Sequence, residues 1–330
     1  MDILFVEALS RPLWMWLAFI ALVLLLLAFD LGVLHRRAHE IEVRESLLLS
    51  AFYIGLGVAF SGWIWHVMGE QQAFLYLTGF VVEKSLAMDN VFVIAVIFSY
   101  FATPRLYQHR VLVYGILGVI VLRGVMIGAG AAVVARFEWV LYLFAAFLIF
   151  TGVKLLVMGS ETYDVASSPF LRLIRKHFRV TDRLHGERFF VRQPHPATGR
   201  PALYLTPLLV ALVMVEIADV VFAVDSIPAI FAITTDPYIV YTSNIFAILG
   251  LRALYFALAA MIHRFVYLKF ALSVVLIFIG GKIFVADMLD LAKIPPAWSL
   301  SITLAILAAG ILGSIWRTRT SARPSEGPNR

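Results

Sequence analysis

The sequence predicts an all-α integral membrane protein of nine transmembrane helices, built around a three-plus-three repeat of inverted topology. Three observations carry that expectation. First, 62% of the 330 residues are hydrophobic and only 15% are charged, where a soluble chain carries about 25% charged residues. Second, the apolar residues fall into runs of about 20, the length a helix needs to cross a bilayer core roughly 30 Å thick. Third, the runs do not alternate polar and apolar with period two, so the backbone satisfies its hydrogen bonds as helices rather than as a barrel.

The expected spans are 13–34, 47–68, 72–101, 111–135, 138–158, 204–232, 239–262, 266–287 and 297–316. Together they make one transmembrane domain over residues 1–330. Repeat one is 72–158, repeat two is 204–287, and a polar, basic loop at 159–203 separates them. Within that loop LRLIRKHFR (171–179) has the pattern of a short basic amphipathic helix lying on an anionic membrane surface.

Charge sets the expected orientation. One set of connections holds Arg36, Arg37, Arg105, Arg110, the basic loop and the 317–330 tail, whereas the other holds Arg11, Arg136 and Lys293. The positive-inside rule puts the N-terminus outside and the loop and C-terminus in the cytoplasm. The net charge of +6 is thereby explained without a nucleic-acid partner. The chain has no cysteine, which excludes disulfides and thiolate metal sites.

The third and sixth spans match each other. EKSLAMDNV (83–91) aligns with DVVFAVDSI (219–227), pairing Glu83 with Asp219, Asp89 with Asp225, and Asn90 with Ser226. GILG (115–118) aligns with AILG (247–250), and each is followed by an arginine within the span, Arg123 and Arg252. LIFTGVK (148–154) aligns with LIFIGGK (276–282). Span three runs inward and span six outward, so spans 3–5 and 6–8 form an inverted repeat. Secondary transporters are built this way, with the substrate site at the repeat interface.

Five carboxylates lie within these two spans: Glu83, Asp89, Glu216, Asp219 and Asp225. Each charge at the bilayer centre costs about 2.5–3.5 kcal/mol, so they require partners. Lys84, Arg123 and Arg252 balance three of them; a bound cation or shared protons fits the remainder. Glu216 and Asp219, three apart, share a helix face, whereas Asp225 lies on the other side of a regular helix. Pro228 is expected to break that helix and free the Val224 carbonyl as a further oxygen ligand. With Asn90 and Ser226, the candidate metal ligands are all oxygen donors, which suit Mg, Ca or Mn rather than Zn or Cu. Asp30, near the end of the first span, is expected to pair with Arg36 or Arg37, or to guide ions.

In DLGVLHRRAHEI (30–41), EKSLAMDNVFV (83–93), VEIADVVFAVDSIPAIFAIT (215–234), FAILGLRALYF (246–256) and LIFIGGK (276–282), the chain resembles the TerC family over nearly its whole length. The resemblance implies a bacterial inner-membrane protein that exports manganese, related to the LysE transporter superfamily. It also implies that Glu83, Asp89, Glu216, Asp219 and Asp225 are required for export. The expected activity is that of a divalent-cation exporter, Mn²⁺ first, driven by proton antiport, with the metal as cargo and no cofactor. The expected partners are the metal ion and the bilayer. The alternatives are a membrane scaffold or chaperone, and an intramembrane enzyme with an aspartate dyad. The chain has no GxGD and no HExxH motif, so a transporter rather than an enzyme is expected.

Overall fold

The computed structural model describes residues 7–8, 11–30, 43–158, 164–194, 199–259, 267–288 and 294–321. It is α-helical throughout, with two short hairpins. β1 (Glu7–Ala8) and β2 (Arg11–Pro12) lead into α1 (Leu13–Phe29), followed by α2 (Val43–Met68), α3 (Glu70–Tyr100), α4 (Arg105–Arg136) and α5 (Val140–Met158). The polar insertion holds α6 (Pro169–His177), β3 (Phe190–Pro194) and β4 (Pro201–Leu205). The second half is α7 (Pro207–Phe231), α8 (Pro237–Leu249), α9 (Leu251–Ala259), α10 (Leu268–Met288) and α11 (Pro296–Ser321).

Helices stand at each place where a span was expected. Among the described residues six of them, α2, α4, α5, α7, α10 and α11, are long and apolar enough to cross a membrane, and the bent pair α8–α9 makes a seventh. α1 is apolar but 17 residues long. α3 has 31 residues and carries Glu83, Lys84 and Asp89 near its middle. The helices are apolar on their outer faces as well as inside. Leu24, Leu25, Val121, Val125, Phe150 and Val157 all stand exposed, a surface water would not tolerate but lipid does.

Local chemistry sets the helix ends around the site. α2 and α3 are joined by Gly69 alone, at φ +93°, a conformation that costs glycine nothing. Thr206 caps α7 by accepting from the Leu209 amide at 3.4 Å, ahead of Pro207 in the first turn. Asp236 caps α8, accepting from the Tyr238 amide at 3.0 Å, and is ion-paired with Arg11.

Three expectations are corrected. α7 runs unbroken through Pro228 to Phe231. The proline sits in the last turn, where its own carbonyl accepts from the Ala232 amide at 2.9 Å, so losing one upstream bond does not part the helix. The break lies instead at Gly250, where α8 and α9 meet at 42°. Within 159–203 the basic helix is α6, ending at His177 because Phe178 turns extended. Residues 190–194 and 201–205 form an antiparallel hairpin where only loop was expected; the hairpin takes residues 204 and 205 from the expected sixth span. Its strands are short and proline-ended, which hides the alternation.

α5 and α10 cross through reciprocal glycines. A Cβ on Gly152 would lie 2.8 Å from the Ser273 carbonyl and 2.7 Å from Ile277, and one on Gly280 would lie 2.6 Å from the Ala145 carbonyl and 2.9 Å from Ile149. The later part of α5 meets the earlier part of α10, so the two helices are antiparallel. The two sets of contacts map onto each other under the repeat, which aligns 152 with 280, 145 with 273 and 149 with 277. Gly152→Ala and Gly280→Ala should therefore each destabilise by about 1–3 kcal/mol, since backbone cannot yield to the added methyl. Gly281→Ala, with nothing within 4 Å, should be neutral or stabilising. Thermal unfolding in detergent measures all three, and equal behaviour of Gly281 and Gly280 would contradict this packing.

Candidate ion site at the centre of the bundle

The centre of the bundle is organised by one cation. Arg123 is 1% exposed, near the middle of the 32-residue α4. Its guanidinium donates to four side chains on three other helices. Nε and Nη2 reach Oδ2 and Oδ1 of Asp219 on α7 at 3.3 and 3.1 Å. Nη1 donates to Glu83 on α3 and to the Asn244 carbonyl oxygen on α8, and to Ser226 Oγ on α7 at 3.3 Å. The two-pronged contact with Asp219 matches the planar fork to the carboxylate. Glu83, Ser226 and Asn244 are each 2% exposed or less.

Glu216 lies one turn before Asp219 on α7, with its carboxylate against a glycine notch in α4. A Cβ at Gly118 would fall 2.5 Å from Glu216 Oε1, and one at Gly115 3.6 Å from it. This gives the glycines of the GILG stretch a physical role. Both Glu216 oxygens are buried and have no hydrogen-bond donor among the described residues. Buried polar groups are almost always satisfied, and an orphaned buried carboxylate requires a proton or a cation. Nearby is a cavity of about 20 Å³, bordered by Asn90, Asp219 and Arg252 among apolar neighbours, about the room one water-sized sphere occupies.

The other expected residues are placed elsewhere. Lys84 donates to the Ala247 carbonyl at 2.9 Å, in the last turn of α8, where Gly250 leaves space for it: a Cβ there would lie 2.9 Å from Nζ. Arg252 pairs with Asp30 and donates to His109 Nε2 at 2.8 Å. Asp30 therefore meets Arg252, while Arg36 and Arg37 lie outside the described residues. Asp225 faces α5, with Thr151 hydrogen-bonded to it and Lys154 as its charged neighbour. Asp89 lies on α3, its side chain outside the described residues. The structure thus brings together Glu83, Asp219, Ser226 and Arg123, with Glu216 and Asn90 beside them, and holds Asp225 apart.

No group of three or more His, Cys, Asp or Glu among the described residues is arranged to hold a metal ion; Arg123 stands between Glu83 and Asp219. Two participants escaped sequence reasoning. Asn244 had a signal, since Thr242, Ser243 and Asn244 are three consecutive polar residues inside an apolar span, all fully buried. His109 had none.

A lipid-facing helical bundle with a buried acid–arginine cluster defines a polytopic integral membrane protein. The chain belongs to the TerC family, whose integral membrane protein model matches residues 68–322. An uncharacterised membrane protein of Rickettsia bellii is 46% identical over 302 residues, covering 92% of this chain and 97% of that one. Alx of Photorhabdus laumondii, named as a proposed membrane-bound redox modulator, is 44% identical over 329 residues, covering 97% and 100%. Alx of Escherichia coli K12 is 44% identical over 311 residues, covering 92% and 94%. No solved structure matches.

Replacing Arg123 with Leu leaves two buried carboxylates unpaired and should destabilise the protein by about 3–5 kcal/mol. Arg123→Leu combined with Asp219→Leu should recover part of that loss, because the coupling is carried by the pair. Thermal unfolding of the singles and the double gives the cycle; strict additivity would mean that the two groups do not interact.

Proposed function

We propose that this protein is a secondary transporter exporting divalent cations, Mn²⁺ foremost, in exchange for protons. The observation that carries the reading is Glu216, a buried carboxylate with neither oxygen satisfied, one turn from the Arg123–Asp219 pair and beside a small cavity. Such a group accepts a proton or a metal ion in turn, which is what antiport requires. Glu216, Asp219, Glu83, Asn90 and Ser226 offer hard oxygen donors of the kind Mn²⁺ takes. Arg123 occupies the position between Glu83 and Asp219 that a cation would fill, and so keeps the emptied site from carrying uncompensated negative charge. The nine-span topology with the N-terminus outside belongs to this reading. The reciprocal α5–α10 contact and the sharing of Arg123 by the aligned acids Glu83 and Asp219 support the inverted repeat within it.

An inverted repeat supplies alternating access when its halves exchange conformations. In this structure the halves differ at aligned glycines: α8–α9 bends 42° at Gly250, while α4 runs unbroken through Gly118. The opposite-facing state would have α4 bent at Gly118 and α8–α9 straightened. Thiol redox chemistry, which the name of the Alx relatives brings to mind, has no cysteine here to perform it.

The transport reading is tested with proteoliposomes that report Mn²⁺ and internal pH together, at clamped potential. Mn²⁺ should move with proton counterflow, more weakly in acid, and Glu216→Gln should abolish it while the protein still folds. Vesicles that pass no Mn²⁺, or pass it with no proton movement, would remove the exporter or the antiport respectively.

The exchange of bends has its own readout. A cysteine at Phe222, which lines the cavity, is unique in this chain and can be labelled from either side. Alanine favours a straight helix over glycine by about 1 kcal/mol. Gly250→Ala should therefore disfavour the present bend, the more so because its Cβ would fall 2.9 Å from Lys84 Nζ, and should shift the labelling of Phe222→Cys toward the side opened in the opposite-facing state. Labelling unchanged by Gly250→Ala would contradict the exchange; Gly118→Ala is no counterpart, because its Cβ would fall 2.5 Å from Glu216 Oε1.

A further inference from the structure

The helix α6 carries three strips of side chains, of which its packing uses one. Leu171 is 2% exposed and, with Ile174, packs into the apolar cluster that includes Phe98, Leu112 and Leu208. Phe170 and Leu173, three residues apart and so on a common face, are 44% and 55% exposed. Arg172, Arg175 and Lys176 form the third strip, all exposed. A nine-residue helix with a basic strip needs only one apolar strip to dock onto the bundle, so the second is unexplained by folding.

The location of α6 supplies the explanation. The cluster it joins includes the second half of α3, the first turns of α4, the first half of α7 and α9, and in the chain α6 lies in the polar insertion between the end of α5 and the start of α7. It therefore lies level with the points where helices leave the bilayer. Tyr100 and Tyr114 stand exposed on α3 and α4 at the same end of the bundle, as aromatic side chains do at membrane interfaces. Among the described residues the cations of α6 carry no ion pair: Arg175 and Lys176 form none, nor does Arg179 just beyond the helix, and Arg172 donates to the Ser167 carbonyl at 3.4 Å. Nearby Arg110 shows the contrast, being paired with Glu187 at 3.0 Å and laid over the rings of Phe189 and Tyr114.

We infer that the outer face of α6 is a seat for anionic phospholipid headgroups, with Phe170 and Leu173 entering the interface and Arg172, Arg175 and Lys176 meeting the phosphates. Two exposed apolar side chains fall far short of the roughly 800 Å² each partner contributes to a protein interface. A lipid interface needs only a shallow apolar strip with basic flanks. Phe190 and Leu203, exposed on one face of the β3–β4 hairpin with Arg192 between them in register, repeat the same combination beside it.

Because the chain has no cysteine, Leu173→Cys gives a single site for an environment-sensitive dye in the full-length protein. The measurement is quenching by lipids spin-labelled near the headgroup, in nanodiscs of neutral phosphatidylcholine or of phosphatidylcholine with phosphatidylglycerol. Quenching should be strong with phosphatidylglycerol, weaker in neutral lipid, and relieved by salt. Changing Arg172, Arg175 and Lys176 to Gln should reduce the insertion equilibrium about fivefold per charge removed. These are exposed side chains whose loss leaves the fold intact, and the salt titration asks the same question without any charge substitution. A dye at Ser167→Cys should report water throughout. Equal quenching in neutral and anionic lipid would overturn recognition of headgroup charge. No quenching at Leu173 in either would overturn the lipid seat and leave the face to a protein partner or a second copy of the chain.

Discussion

Arg123 is the constraint on which the rest of the bundle depends. A guanidinium does not lose its charge, so burying it among lipid-facing helices commits the protein to supplying acceptors at fixed positions. Asp219 and Ser226 come from α7, Glu83 from α3 and Asn244 from α8. Four helices are therefore held in register by directional contacts, which apolar packing in lipid does not provide. Lipid tails are as apolar as leucine, so helix association there rests on close packing and hydrogen bonds. The bundle uses the second device at its centre and the first at its periphery, where Gly152 and Gly280 bring α5 and α10 together.

The cluster also explains features that look like defects in isolation. α3 carries buried charge within an apolar helix, and one of those charges, Glu83, is an acceptor the central guanidinium requires. α4 places two glycines where helix propensity argues against them, and they make room for the Glu216 carboxylate. Gly250 interrupts a helix, and its missing side chain admits Lys84 to the carbonyl of Ala247. In each case a local cost is accepted because a buried charge needs space or an acceptor.

Much of this was legible beforehand, for identifiable reasons. Helix positions follow from runs of apolar residues, a signal that does not depend on tertiary contacts. The pairing of Glu83 with Asp219 was visible because both halves keep an acid at the same place in the repeat. Partners were harder to foresee. Lys84 was expected to meet a carboxylate and meets a backbone carbonyl, because the last turn of α8 offers acceptors no side-chain pattern reveals. Asp30 was assigned to its neighbours in sequence and meets Arg252, 222 residues away. Pro228 removes one hydrogen bond in the last turn of α7, and the helix runs through it to Phe231 before it ends.

The continuity of α7 bears directly on how an ion would pass. Glu216 and Asp219 share the face turned toward α4, whereas Asp225 is turned toward Thr151 and Lys154 on α5. With no break between them, no single ion is held by all three in this conformation. Carboxylates on opposite faces of one straight helix form two stations rather than one cage. Each has its own resident cation, Arg123 at the first and Lys154 at the second. On the proposed transport reading, a divalent ion arriving at either station would displace that cation from its carboxylate, and on leaving would let it return, so that neither carboxylate stands unpaired in lipid. Arginine and lysine differ in what they allow there. The guanidinium fork at the α4 side is fixed by several acceptors at once, while the ammonium at the α5 side is a single point charge on a flexible stem. The tighter restraint falls at the station that binds four helices together, and the looser one beside the glycine crossing of α5 with α10.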